Sequence, residues 1–184
     1  MTLTEEKKRL RRECLAKRLS LTAAEKEAAD GALCDRIAAQ DAFLAADLVL
    51  LFCPMRGEPD LTPLAKLAVA RGARIAFPRC EGGIMTFYEV KSESDFAPDQ
   101  FGIPSPKPTC PVARTSEKTL CILPGLAAGR DGTRLGYGGG FYDKFLATFE
   151  GITLFPIYEA LLFDTLPHEA TDRPVSILLT EKGA

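Results

Sequence analysis

Two short runs constrain this chain more than any others. "DLVLLFCP" places six apolar residues, Leu48 to Cys53, between an aspartate and a proline. "TLCILPG" does the same from Leu120 to Leu123 before Pro124 and Gly125. Neither run is long enough for a typical helix, and neither alternates apolar with polar. A strand with no polar face must be covered on both sides, which is the situation inside a parallel sheet flanked by helices. Helical spacing lies between and around the runs. Leu64, Leu67, Ala68 and Arg71 recur at helical intervals, with Gly72 as a stop.

The remaining pattern agrees. Thr2 with Glu5 and Thr22 with Glu25 fit capping boxes that open two helices. Leu10, Cys14, Leu15 and Leu19 make an apolar stripe on the first, and Ala29, Leu33 and Ile37 on the second. "ARIAFP", "MTFYEV", "ITLFPIY" and "SILLT" read as further strands. Residues 91–118, with Pro98, Pro104, Pro106, Pro108 and Pro111, read as a surface excursion. The expectation is an α/β fold: a single-domain sandwich over 1–184 with a mostly parallel central sheet flanked by helices. A chain of 184 residues, 46% of them apolar, suits one core. A net charge of −2 gives no global attraction to nucleic acid or anionic membrane. No apolar run reaches the roughly 18–20 residues of a membrane span. The first residues lack the apolar centre of a secretory signal, and Glu5, Glu6 and Glu13 argue against an organelle presequence. Six scattered cysteines without a C-x-x-C pair read as reduced thiols, and His168 as a surface-loop histidine. These features predict a cytoplasmic protein.

The chemistry concentrates in "TRLGYGGGFYDKFL". Gly136, Gly138, Gly139 and Gly140 lie immediately before a helical pattern. The segment lacks the Gly-Lys-Ser/Thr ending of a Walker A loop, and a G-x-G-x-x-G read from Gly136 ends on Phe141. What remains is a set of flexible backbone N–H groups at a helix mouth, flanked by Arg134 and Lys144, which suits a phosphate. Asp143 either complements the helix dipole or ligates magnesium, with Asp172 as a second carboxylate. Lys7 and Arg11 are four residues apart on one helical face and reach for one polyphosphate, or belong to a solvated basic face. Glu58, between Gly57 and Pro59, is either a turn residue or an acceptor for a ligand's N–H groups.

"RLGYGGGFYD" with "LPG" upstream resembles the signature of the 5-formyltetrahydrofolate cyclo-ligase family, also called 5,10-methenyltetrahydrofolate synthetases. Lys7 to Arg11, "PMRGEPDLTPL" and "FDTLPHEATDRP" resemble other parts of that family in the same order. The resemblance implies ATP- and Mg²⁺-dependent conversion of 5-formyltetrahydrofolate to 5,10-methenyltetrahydrofolate through a phosphorylated formyl group, with small-molecule substrates as partners and neither nucleic acid nor a membrane. It implies that Lys7, Arg11, Arg134, Leu135, Gly136, Tyr137, Gly138, Gly139, Gly140, Phe141 and Tyr142 bind ATP. Lys7 and Arg134 are then the catalytic cations, Asp143 and Asp172 hold magnesium, and Met55, Glu58 and Tyr142 meet the folate. Ala128, Gly129, Leu161 and Thr171 depart from the family's usual residues. Two other readings stay open here: a diverged paralogue that binds nucleotide or folate without turnover, and a nucleic-acid-binding protein using the basic first helix.

Overall fold

The computed structural model describes residues 2–99, 102–168 and 173–183. Helices α1 (Leu3–Leu19) and α2 (Ala23–Ala38) both open on capping boxes. The Thr2 side chain accepts from Glu5 N–H at 3.3 Å while Thr2 N–H donates to the Glu5 carboxylate at 2.8 Å. Each box satisfies two donors that a helix start leaves unpaired. A short α3 (Asp41–Ala45) leads into β1 (Leu48–Leu50), followed by α4 (Thr62–Ala70) and the hairpin β2 (Arg74–Glu81) and β3 (Ile84–Glu89).

The proline-rich stretch forms a second hairpin, β4 (Phe96–Pro98) with β5 (Pro104–Pro106). It packs on β2, where the Phe77 and Phe96 rings meet edge to face at 5.2 Å. Then come β6 (Thr119–Ile122), β7 (Ala127–Gly129), β8 (Arg134–Leu135), α5 (Phe141–Leu146), β9 (Ile152–Pro156), β10 (Leu162–Phe163) and β11 (Ile177–Leu179).

The main sheet has six strands in the order β11-β9-β6-β1-β2-β3. Every pairing in it is parallel except β2 with β3. The two continuous apolar runs became adjacent central strands, with Leu48 opposite Thr119 and Leu50 opposite Cys121. Leu48, Val49, Leu50, Leu120, Cys121 and Ile122 are all fully buried, as a strand without a polar face requires. Leu33 and Ile37 of α2 and Leu64 and Ala68 of α4 close over them. Each such leucine contributes about 1.5–3 kcal/mol by leaving water.

Strand β1 pairs with β2 on one side and β6 on the other. The direction of winding therefore reverses between β1 and β6, and open α/β sheets bind ligands in the crevice at that point. The loop after β1 carries Met55 and Glu58, and the chain after β6 reaches the glycine segment by way of β7 and β8.

Three features differ from the sequence reading. Leu19, placed on the apolar stripe of α1, is 59% exposed, whereas its neighbour Arg18 is 2% exposed. The segment between Gly125 and Gly136, where the sequence reading placed no strand, contains β7 and β8, which join β10 in a small three-stranded sheet. Its strands are too short, and too rich in alanine and glycine, to announce themselves in sequence. Helix α5 has only six residues, so its dipole adds less at the glycine segment than a long helix would.

Candidate active site

A cleft of about 410 Å³ opens beyond the carboxyl ends of β1, β2 and β6. Phe52 to Glu58 form one wall, and Pro124 with the segment from Arg134 to Asp143 form another. Pro78, Cys80 and Met85 of the β2–β3 hairpin and Ile103 to Ser105 of the proline-rich hairpin complete it. The proline-rich stretch is thus a wall of the cleft, a placement with no local sequence signal because it depends on tertiary packing.

The glycine segment crosses this cleft. Gly138 sits at φ +92° and Gly140, which precedes α5, at φ +68°. Side chains other than glycine pay for that backbone region. At Gly138 a Cβ would also approach the Arg11 guanidinium carbon to 3.2 Å. Among the described residues, no backbone N–H from Gly136 to Gly140 donates a hydrogen bond. The loop therefore presents a row of unspent donors at the cleft.

Positive charge meets the loop from two directions. Arg11 of α1 donates its Nε to the Gly136 carbonyl at 2.8 Å. Lys7 lies one helical turn earlier on the same helix, half-buried. Arg134 is only 9% exposed at its side chain. It donates to the Pro124 carbonyl at 3.0 Å and to Asp143 at 2.8 Å, beneath the Tyr142 ring. Leu135, grouped with these residues by resemblance, belongs to β8, and its side chain is buried in the core. The basic run of α1 is divided in use: Arg9 pairs with Glu13, Arg11 holds the glycine segment, and Arg18 is internal.

Glu58 is 2% exposed, and it lines the cleft. Its Oε1 accepts from the Tyr137 hydroxyl at 2.7 Å and its Oε2 from Met55 N–H at 3.0 Å. Burial raises its carboxyl above the ordinary glutamate range, while the Tyr137 and Met55 hydrogen bonds and the charges of Arg18 and Arg56 oppose that rise. Burial and the Glu58 charge push the Tyr137 phenol upward, so it stays protonated and donates. Tyr142 also lines the cleft, and its buried hydroxyl has no hydrogen-bond partner among the described residues. Cys53 and Cys80 lie on the same lining, and burial raises both thiols, Cys53 to about 11. All six cysteines are free.

Asp143 is 72% exposed at the mouth of the cleft, beside the glycine segment and paired with Arg134. Asp172 lies outside the described residues, as does Thr171. No cluster of three histidine, cysteine or acidic side chains occurs among the described residues. A single exposed carboxylate beside the glycine segment still fits magnesium, which commonly takes one or two carboxylates and fills its shell with phosphate oxygens and water. No helix among those described is long and apolar enough to cross a membrane.

The six-stranded, mostly parallel sheet thus carries a cleft lined by a glycine segment, with the largely buried Arg18 and Arg134 beside it. Residues 3–181 match the model of the 5-formyltetrahydrofolate cyclo-ligase family. The chain is 29% identical over 142 residues to 5-formyltetrahydrofolate cyclo-ligase of Escherichia coli strain K12, covering 73% of this chain and 78% of that one. It is 28% identical over 144 residues to the enzyme of the same name from Mycolicibacterium smegmatis, covering 73% of each. The NMR structure of Aquifex aeolicus 5,10-methenyltetrahydrofolate synthetase superposes with a TM-score of 0.85 at 32% identity, over 96% of this chain and 90% of that one. The Mycoplasma pneumoniae synthetase shares the fold, with a TM-score of 0.79 at 17% identity over 96% and 99% of the two chains. The chain belongs to the 5-formyltetrahydrofolate cyclo-ligase family. It is an enzyme of the cyclo-ligase class.

Proposed function

We propose that this chain uses ATP and Mg²⁺ to convert 5-formyltetrahydrofolate to 5,10-methenyltetrahydrofolate, releasing ADP and phosphate. One observation carries the reading. Gly136 to Gly140, whose N–H groups donate to none of the described residues, line the cleft together with the buried Glu58 and are met by Arg11 of α1. A phosphate on the loop would have a nucleotide behind it and an amide-bearing substrate in front.

The chemistry follows from the leaving group. A formamide oxygen does not leave unaided. Its attack on the terminal phosphate releases ADP and makes that oxygen part of a phosphate ester. The N10 amine attacks the activated carbon and gives up its proton, and departure of phosphate leaves the methenyl bridge. Such phosphoryl transfer needs position and charge stabilisation more than a protein nucleophile. Gly136 to Gly140, with Tyr137, Phe141 and Tyr142, would wrap the phosphates through the backbone. Lys7 and Arg11 would grip them from α1. Arg134, held by Pro124 and Asp143, would face the charge that builds during transfer. Leu135 contributes backbone only in this reading, since its side chain is core. Asp143, with Asp172, would hold the magnesium ion, which when bound neutralises phosphate charge. Met55 and Glu58 would receive the folate, Glu58 accepting from ring N–H groups, with Tyr142 closing the cleft.

Residues 1–184 form one domain in this account, because the buried cluster runs from Cys14 on α1 to Leu179 on β11. The free thiols agree with a cytoplasmic setting. The test is to mix the protein with 5-formyltetrahydrofolate, ATP and Mg²⁺ and follow methenyl-folate absorbance. Growth of that absorbance only when ATP and Mg²⁺ are both present supports the proposal. A folded protein that produces none, or produces it equally without ATP, overturns it.

A further inference from the structure

Arg18 has no part in the chemistry above, yet it is one of the most buried polar side chains in the chain. Removing a guanidinium from water costs several kcal/mol unless its donors are satisfied. Three of its nitrogens are satisfied, each by a different part of the cleft wall. Nε donates to the Arg56 carbonyl at 3.0 Å, Nη1 donates to the Gly125 carbonyl at 2.8 Å, and Nη2 donates to the Tyr137 hydroxyl. These acceptors belong to the loop after β1, the loop after β6 and the glycine segment. Arg56 sits at φ +48°, where a residue with a side chain is held only by its surroundings. The bond from Arg18 to its carbonyl is one such hold.

The hydroxyl of Tyr137 carries the argument further. It has one proton to give. A guanidinium only donates, so Arg18 occupies an acceptor position on that oxygen and the Tyr137 proton must go elsewhere. It goes to Glu58 Oε1. The donation therefore runs one way, from Arg18 to Tyr137 to Glu58. The Tyr137 ring also lies 5.7 Å from the Arg18 guanidinium carbon and 5.9 Å from that of Arg56.

We infer that Arg18 is a positioning residue of this site, acting through the Tyr137 hydroxyl to hold Glu58 as an oriented acceptor facing the cleft. The inference rests on the reading of Glu58 as the folate-side acceptor. The groups around Glu58 are Arg18 from α1, Arg56 and the Met55 N–H on its own loop, Tyr137 from the glycine segment and Tyr142 from α5. Burial works against ionisation there, and the Tyr137 bond with the two guanidinium charges works for it. Weakening the relay must therefore raise the pH at which Glu58 ionises.

Arg18→Lys tests the relay, because lysine keeps the charge but gathers its donors on one nitrogen and cannot span the three acceptors. Glu58 is followed by carbon-13 NMR in carboxyl-labelled protein, assigned with Glu58→Gln, in wild type, Arg18→Lys, Tyr137→Phe and the double variant. Thermal unfolding confirms that each is folded. The expected result is a shift of the Glu58 titration to higher pH in Arg18→Lys and in Tyr137→Phe, with no further shift in the double variant. The acid limb of kcat/KM for 5-formyltetrahydrofolate moves with it, and kcat/KM at neutral pH falls by about tenfold. An unmoved Glu58 titration in folded Arg18→Lys, or an additive shift in the double variant, overturns the inference. A wild-type protein with the expected titrations but no turnover would sink the proposed reaction and leave the Arg18 relay standing.

Discussion

The Tyr137 hydroxyl donates to Glu58 Oε1 at 2.7 Å, joining residues 79 positions apart in the chain. It brings the glycine segment and the loop after β1 to one point at the cleft. The loop after β1 leaves the main sheet at the switch point and the glycine segment reaches it from β8, and the hydrogen bond fixes the geometry of their meeting.

That pairing makes Glu58 a pH reporter. Its folded carboxyl is raised by burial, so the folded state holds this proton more tightly than the unfolded chain. The contribution to stability is then full below the unfolded glutamate value and is lost as pH rises through the raised folded value. Denaturant unfolding of wild type and Glu58→Gln across that acid-to-neutral window should show wild type losing ground to the variant as pH rises. A constant difference, or one of opposite slope, would mean that Glu58 is not held in a raised state.

Gly138→Val adds a branched side chain at φ +92° against the Arg11 guanidinium. Strain of about 1–2 kcal/mol is expected from the backbone alone. Turnover should fall far more than stability, and equally with ATP and other nucleoside triphosphates, because the loop is assigned to phosphates and not to the base. Steady-state rates beside thermal unfolding decide this. Near-normal turnover in a folded variant would make the segment a structural turn.

Lys7→Ala should weaken ATP use by about ten- to a hundredfold, the effect of losing a charged hydrogen bond of roughly 1.5–3 kcal/mol. The KM for 5-formyltetrahydrofolate should barely move, since Lys7 lies on α1 and not among the residues that line the cleft. An unchanged dependence of rate on ATP concentration would remove Lys7 from the site.

Asp143→Asn should raise the magnesium concentration needed for half-maximal rate while leaving folate affinity nearly unchanged. Asp143 is largely exposed, and Arg134 keeps its bond to the Pro124 carbonyl, so the midpoint of unfolding should shift little. A variant with wild-type magnesium dependence would exclude Asp143 as a ligand.

Much of the fold was legible because its signals are local. An uninterrupted apolar run such as Leu48 to Cys53 can hardly be other than a buried strand, and the Thr2–Glu5 pair marks a helix start by its own hydrogen bonds. The glycine segment was legible for the same reason. Arg18 was not. It follows Lys17 in a charged stretch, and only the distant carbonyls of Arg56 and Gly125 explain its burial. A faint signal existed, since Arg18 is one turn from buried Cys14 on the same helical face. Glu58 was visible as a candidate, but its partner Tyr137 was grouped with the phosphate loop, because sequence does not show which way a side chain in a glycine-rich segment turns. The proline-rich wall depends entirely on packing against β2.

The central claim is that the formyl oxygen leaves as phosphate after activation by ATP. The direct measurement uses 5-formyltetrahydrofolate labelled with oxygen-18 in the formyl group, turned over with unlabelled ATP and Mg²⁺ in unlabelled water. Mass analysis of the inorganic phosphate should find one labelled oxygen per methenyl-folate formed, with one ADP released. Unlabelled phosphate, with the label recovered in water, would contradict the account.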